Sequence, residues 1–375
     1  MEKIMGDVPP EKKKILFVEH TAEMAGGGQQ SLLVLLQRID RTRFAPMVVL
    51  PEPGKLAGHL DRLAVPYRII PFGTLRGLDI LKAAGVVRRL VRVMREEGVD
   101  IVHTNASRST FYAGLAARCS GIPLVWHVRI ASREPVYDRF LYALASRVIA
   151  ISRAVAGRFP WDRGRKVTVV YNGLDPNLYE SGGRAEKRAD SGLPGKVVIG
   201  LIGRIEPDKG GDKLIRALRK AREDGAGLHL LIVGERTPYR KDLERQAARL
   251  GLSGTVTFAG YREDIPGVMS SVDILALPSR TEAFGRVLIE AMACGKPVVA
   301  FAVDAVPEIV EDGVTGLLVP FGDVDALADA MRKLADDPAL RLRMGEKGRE
   351  RVREYFSLRE HARRVELLYE EILAS

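Results

Sequence analysis

The residues whose types and spacing hold the most chemistry run from Thr281-Glu282-Ala283-Phe284-Gly285-Arg286-Val287-Leu288-Ile289-Glu290 on to Pro297. Gly285 to Ala293 reads as a helix closed by Gly295, set between the apolar runs Ile274–Leu277 and Pro297–Phe301. The first amides of a helix have no partner within it, so the start near Gly285 to Leu288 is a natural seat for phosphate. Gly285 also permits close backbone approach. Glu282 lies just before the helix and Glu290 more than a turn inside it. Such a pair can bind hydroxyls at two places on a ligand whose phosphates sit between them. A structural reading stands beside this one: Glu282 complements the helix dipole and Glu290 lies on a solvated face.

A second loop, Gly203-Arg204-Ile205-Glu206-Pro207-Asp208-Lys209-Gly210, follows the apolar run Val197–Ile202. In doubly wound sheets a glycine-bearing loop after the first strand is the usual phosphate position. Arg204 offers a planar fork and Lys209 a mobile point charge, both suited to a diphosphate. The loop is neither the dinucleotide G-x-G-x-x-G nor a Walker A loop; a solvated basic loop is the alternative. Ala25-Gly26-Gly27-Gly28-Gln29 again places glycines before a helix, with His20 at the end of the preceding strand. His127, in Trp126-His127-Val128-Arg129, falls at a strand end and is expected to face a cleft, although a histidine there is often structural. Ile101-Val102-His103-Thr104-Asn105 supplies a neighbouring strand end. Asn172-Gly173-Leu174-Asp175 is a turn signal first and a ligand contact second.

The elements that position these loops are legible as continuous apolar runs. They are Ile15–Glu19, Met47–Leu50, Tyr67–Pro71, Ile101–Thr104, Leu124–Val128, Val148–Ile151 and Val167–Tyr171, then Val197–Ile202, Leu228–Val233, Val256–Phe258, Ile274–Leu277, Pro297–Phe301 and Gly316–Val319. Unbroken apolar strands alternating with helical patterns predict parallel sheets covered on both faces. The fold class is therefore α/β, with two Rossmann-like doubly wound domains facing a cleft. The expected boundaries are a tail 1–14, a first domain 15–178, a linker 179–195, a second domain 196–353 and a closing helix 354–375 that crosses back to the first domain. At 375 residues the chain exceeds what one core usually serves.

Two cysteines, Cys119 and Cys294, cannot build a disulfide framework and fit a reducing compartment. No apolar run approaches a membrane span, and the first residues have no apolar signal core, so a cytoplasmic protein is expected. The net charge of +10 is unevenly placed. Residues 1–178 hold 27 Lys+Arg against 16 Asp+Glu, and the remainder 31 against 32. A basic first half suits an anionic partner, or simply solubility. Asp79–Glu97 is amphipathic, with Lys82, Arg88, Arg89, Arg92 and Arg95 on one side and Leu81, Val87, Leu90, Val91 and Met94 on another. It could lie on an anionic membrane at its inner face, or be an ordinary solvated helix. Nucleic acid is not expected as a partner, because no binding module is recognisable and aromatics are few.

Taken together and in this order, the motifs resemble glycosyltransferase family 4, the retaining enzymes of GT-B fold. The resemblance covers nearly the whole chain and includes Val306-Pro307-Glu308-Ile309-Val310 and Gly316-Leu317-Leu318-Val319-Pro320. It departs at Asn105, where many members have His. The resemblance implies a UDP-, GDP- or ADP-sugar donor, no cofactor and no metal. The acceptor it implies is a glycan, a lipid-linked or a small molecule, in cell-envelope or polysaccharide synthesis. It implies that Arg204 and Lys209 hold the diphosphate, that Glu282 binds the donor sugar and Glu290 the ribose, and that His127 contacts the sugar near the reacting carbon. Gly203 and the backbone from Phe284, Gly285, Arg286 and Val287 to Leu288 would complete the donor site, and Gly26 and Gly27 would shape the acceptor side and approach the phosphate. Base and sugar selection depend on the shape of the pocket around Tyr261, Arg262 and the loop after Val233, which spacing does not fix. The alternatives are a nucleotide-sugar epimerase of the same fold and a non-catalytic nucleotide-sugar-binding protein.

Overall fold

The computed structural model describes residues 11–24, 27–72, 80–180, 195–223, 227–235 and 237–374. The chain divides into two compact units. The first comprises Met1–Ile151, Val155–Val170 and Leu358–Ser375; the second comprises Ser152–Ala154 and Tyr171–Ser357.

The first unit holds one parallel sheet of β1 (Lys13–Val18), β2 (Phe44–Leu50), β3 (Tyr67–Ile69), β4 (Ile101–Thr104), β5 (Leu124–Val128), β6 (Arg147–Ala150) and β7 (Val167–Val169). Their order is β3-β2-β1-β4-β5-β6-β7. The central strands are buried along almost their whole length, as unbroken apolar runs require, whereas the edge strands β3 and β7 are not. One core gathers Ile15 and Phe17 of β1, Leu32 and Leu36 of the helix Gly27–Arg38, and Val365, Leu368 and Tyr369 of the helix Leu358–Leu373.

The second unit repeats the plan with β8 (Val197–Ile202), β9 (Leu228–Val233), β10 (Val256–Gly260), β11 (Ile274–Leu277), β12 (Val298–Phe301) and β13 (Gly316–Val319) in the order β10-β9-β8-β11-β12-β13. Its outer helices start where the sequence supplies caps. Asp323 accepts from the amide of Ala326 at 2.9 Å, and Asp337, followed by Pro338, accepts from that of Leu340 at 2.8 Å.

In each sheet the strand order reverses beside the first strand, between β1 and β4 and between β8 and β11. Ligands of doubly wound sheets bind at the carboxyl edge of that switch point. Glu19 and Asn105 follow β1 and β4; Gly203 and the loop to Glu282 follow β8 and β11.

Three expectations need adjusting. The first strand starts at Lys13, inside the expected tail, because the Lys14 amide donates to Asp100 at 2.8 Å. Residues Tyr171 onward group with the second unit, since the Leu174 amide donates to the Phe356 carbonyl at 3.0 Å and the Tyr171 hydroxyl to Glu308 at 3.0 Å. Of the expected linker, residues 181–194 lie outside the described residues. The amphipathic stretch forms the helix Ile80–Glu96, but its apolar side turns inward: Val86, Leu90 and Met94 are buried, leaving Ile80 and Leu81 as its exposed large apolar residues. Among the described residues no helix is long and apolar enough to cross a membrane.

Candidate functional site

The second unit's switch point brings its two loops together through backbone contacts. The Arg280 amide donates to the Asp208 carbonyl at 2.7 Å. Gly210 sits at φ +70°, and a Cβ there would fall 1.9 Å from the Pro278 carbonyl oxygen. Only glycine lets the β8 loop pass so close beneath the β11 loop. This approach delivers Lys209 to Glu282, with Nζ 2.8 Å from Oε2 and both side chains mostly buried.

Glu282 is held from behind by Asp304. The Asp304 carboxylate accepts from the Thr281 hydroxyl at 2.5 Å and from the Glu282 amide at 2.9 Å, and Asp304 itself takes the left-handed backbone at φ +42°. Gly285 turns the chain into the helix Arg286–Ala293 at φ +79° and ψ +64°. A Cβ there would meet Leu288 Cδ1 at 2.8 Å and Glu282 Cγ at 3.1 Å. No side chain caps this helix start, which leaves it suited to an anion. Further along the helix, Arg286 Nε lies 3.5 Å from Glu290 Oε1. The Tyr179 hydroxyl donates to Glu290, and burial, then that carboxylate, raise its pKa.

Two expectations change here. Arg204 does not join Lys209: its side chain is 62% exposed and pairs with Glu206 at 3.2 Å, because Gly203, at φ +141°, turns the chain outward. Leu288 does not offer its amide to a ligand, since that amide donates to the Gly285 carbonyl at 2.9 Å. Phe284 is buried against Tyr171 and Phe356, with ring centroids at 6.2 and 6.0 Å, and so anchors the loop while Val287 stays half-buried.

The first unit's switch point is built differently. Glu19 is fully buried, accepting from Asn105 Nδ2 at 2.5 Å and Gln29 Nε2 at 3.4 Å. Burial pushes its pKa up to about 7, against the pull of Asn105, Arg129 and Gln29. The Asn105 carbonyl accepts from Arg129 Nε at 2.9 Å. Arg129 also reaches His127 Nδ1 at 3.2 Å, and His103 Nε2 lies 3.2 Å from the same atom. His103 Nδ1 is 2.7 Å from the Tyr369 hydroxyl. His127 is fully buried rather than presented on an open surface, because His103, Arg129 and the His361 ring enclose it. Gly27 begins the helix Gly27–Arg38, while Gly26 lies outside the described residues. His20 is partly exposed, its pKa lowered by burial and by Arg108.

Sequence reasoning missed Asp304, Tyr179, Glu19, Gln29, Arg129 and Tyr369. Glu19 had a signal: a carboxylate closing a wholly apolar run is buried beside its strand and needs partners. Among the described residues no cluster of three or more His, Cys, Asp or Glu could hold a metal ion.

Residues 183–351 match the family described as glycosyl transferases group 1, and residues 25–178 match glycosyltransferase family 4. The alpha-D-kanosaminyltransferase of Streptomyces kanamyceticus is 30% identical over 80% of this chain and 81% of its own. The D-inositol 3-phosphate glycosyltransferase of Actinosynnema mirum is 33% identical over 87% and 84%. The chain belongs to glycosyltransferase family 4. In structure this glycosyltransferase is similar to HepE of Anabaena, crystallised with UDP and glucose, at 29% identity and a TM-score of 0.83 over 97% of this chain and all of that one. The sucrose-phosphate synthase of Thermosynechococcus elongatus shares its two-domain GT-B fold at 23% identity and a TM-score of 0.80 over 97% of this chain.

Proposed function

We propose that this glycosyltransferase moves a sugar from a nucleoside-diphosphate sugar to an acceptor hydroxyl with retention at C1, without a cofactor. The observation that carries this reading is the Lys209–Glu282 pair beside the uncapped helix start at Gly285. A diphosphate docked on that helix start meets Lys209, and Glu282, already oriented by Asp304, takes hydroxyls of the attached sugar. Glu290, tied to Arg286 and Tyr179, takes the ribose. Arg204 swings from Glu206 to the diphosphate, a motion its exposure permits. The bond from C1 to the phosphate oxygen breaks with its electron pair on the diphosphate. The acceptor oxygen bonds to C1 on the same face and its proton passes to the departing phosphate. Preorganised positive charge at the leaving group is then the main source of rate.

UDP is the first nucleotide to test, since HepE was crystallised with it. The acceptor is a polyol of the cyclitol kind, since two relatives are named for inositol 3-phosphate and 2-deoxystreptamine. A phosphorylated acceptor would suit the basic first half of the chain. A thermal-shift screen with UDP, GDP, ADP and their sugar conjugates tests the donor: ligand binding to the native state raises the melting temperature with concentration. No shift with any of them overturns the reading. Proton NMR of the product then gives the anomeric configuration, and inversion would refute retention.

A further inference from the structure

The hydrogen bonds around His127 determine which of its nitrogens carries the proton. A guanidinium can only donate. Arg129, 3.2 Å from His127 Nδ1, therefore requires that atom to be an acceptor. His103 Nε2, at 3.2 Å from the same Nδ1, must then be a donor. That leaves His103 Nδ1 as the acceptor of the Tyr369 hydroxyl at 2.7 Å. The reverse order, with Tyr369 accepting, would place a proton on His127 Nδ1 against the guanidinium. Every proton along the path thus points the same way, from the helix Leu358–Leu373 through β4 to β5. The remaining atom, His127 Nε2, is fully buried and has no hydrogen-bond partner among the described residues.

We propose that Tyr369, His103 and Arg129 are positioning residues that fix His127 as its Nε2–H tautomer, so that it donates a hydrogen bond to a substrate oxygen and takes no proton from it. The lone pair that a general base would need is already occupied by two donors. The charged and titratable groups around His127 agree with this. Arg129 at the end of β5, His103 on β4 and His361 and Tyr369 on the last helix surround it, and Glu19, which titrates at about 7, lies beyond Asn105 and interacts with Arg129. Burial, then Arg129, hold both histidines neutral, and burial keeps the Tyr369 phenol protonated. The inference rests on the proposed transfer reaction only for the nature of the oxygen; the tautomer is a property of the free protein.

The test is 15N–1H correlation of the full chain labelled at its 6 histidines, recorded without substrate. His127 and His103 are expected as Nε2–H tautomers with hydrogen-bonded Nδ1, and His127 is expected not to titrate from about pH 8 to about pH 5.5, across the ordinary histidine pKa. In Tyr369→Phe, which keeps the ring, His103 should gain an Nδ1–H population. In Arg129→Met, His127 should begin to titrate inside that range. UDP that perturbs His127 Nε2–H identifies a phosphate oxygen, and a perturbation by UDP-glucose alone a sugar oxygen. Once a substrate pair is known, Tyr369→Phe should lower kcat roughly tenfold, the scale of one hydrogen bond, with little change in KM. A proton on His127 Nδ1 in the wild-type chain overturns the proposal without reference to activity, as does an Arg129→Met variant whose His127 behaves as in wild type.

Discussion

The two units share a strand plan but spend their polar residues in opposite ways at its switch point. In the second, Lys209–Glu282 and Arg286–Glu290 are mostly buried ion pairs on a loop and a helix start, each side chain keeping between 14% and 19% of its surface exposed. In the first, Glu19, Asn105, Arg129, His127, His103 and Tyr369 form a chain of hydrogen bonds whose histidines and carboxylate are fully buried. Charges that keep part of their surface exposed can change partners on binding. Buried polar groups must be satisfied by the protein itself, which fixes their geometry and their protonation. One site is built to attract charge and the other to hold a defined donor in place.

Breaking the second site should therefore abolish chemistry and spare the fold. Lys209→Ala is expected to lower transfer by about 10³-fold, the scale of losing one preorganised electrostatic contact. Glu282 stays tied to Asp304 through its own amide, so the variant should still fold, with its melting temperature lowered by the loss of one mostly buried pair. Activity above a tenth of wild type, or an unfolded variant, would contradict the contrast drawn here.

The first site should respond to pH instead. Folded Glu19 has a pKa of about 7, above the ordinary 4.5, so the folded chain binds the extra proton between those values. Its stabilising contribution is full below about pH 4.5 and is lost as pH rises through about 7, an effect of about 3 kcal/mol. The buried histidines act in the opposite sense, destabilising the fold as pH falls below 6.5, so the total slope mixes both. The difference between wild type and Glu19→Gln isolates the carboxylate. That difference should move in favour of the variant between pH 5 and pH 8, as read by denaturant unfolding at several pH values. A difference independent of pH would show that Glu19 titrates normally.

The smallest effect is expected at Arg204. Its exposed side chain is already committed to Glu206, so Arg204→Ala should weaken donor binding only about threefold, as a solvent-screened charge does. A loss as large as that of Lys209→Ala would mean that Arg204, once it has left Glu206 for the diphosphate, carries as much of the leaving-group charge as Lys209 does.

The scaffold was legible because parallel strands covered on both faces leave unbroken apolar runs, as at Ile101–Thr104 and Ile274–Leu277. The Glu282 and Glu290 loop was legible because its chemistry is local to one turn and one helix. The first site was not, because its partners are far apart in sequence: Glu19 meets Asn105 across 86 residues and His103 meets Tyr369 across 266. Periodicity marks Tyr369 as one more core position on an amphipathic helix and carries no sign of its hydroxyl's partner. The pairing of Arg204 with Glu206 was not legible for a related reason: composition shows that a loop is basic but not which neighbour each side chain takes.

The helix Leu358–Leu373 belongs to the first unit although the whole second unit precedes it. During synthesis, a ribosome must complete the second unit before Val365, Leu368 and Tyr369 can cover Leu32, Leu36 and Phe44. Until then the nascent first sheet carries an uncovered apolar flank and His103 lacks its phenol partner. The order of assembly thus makes the last turns of helix both the closing piece of the oldest core and the step that orients His127.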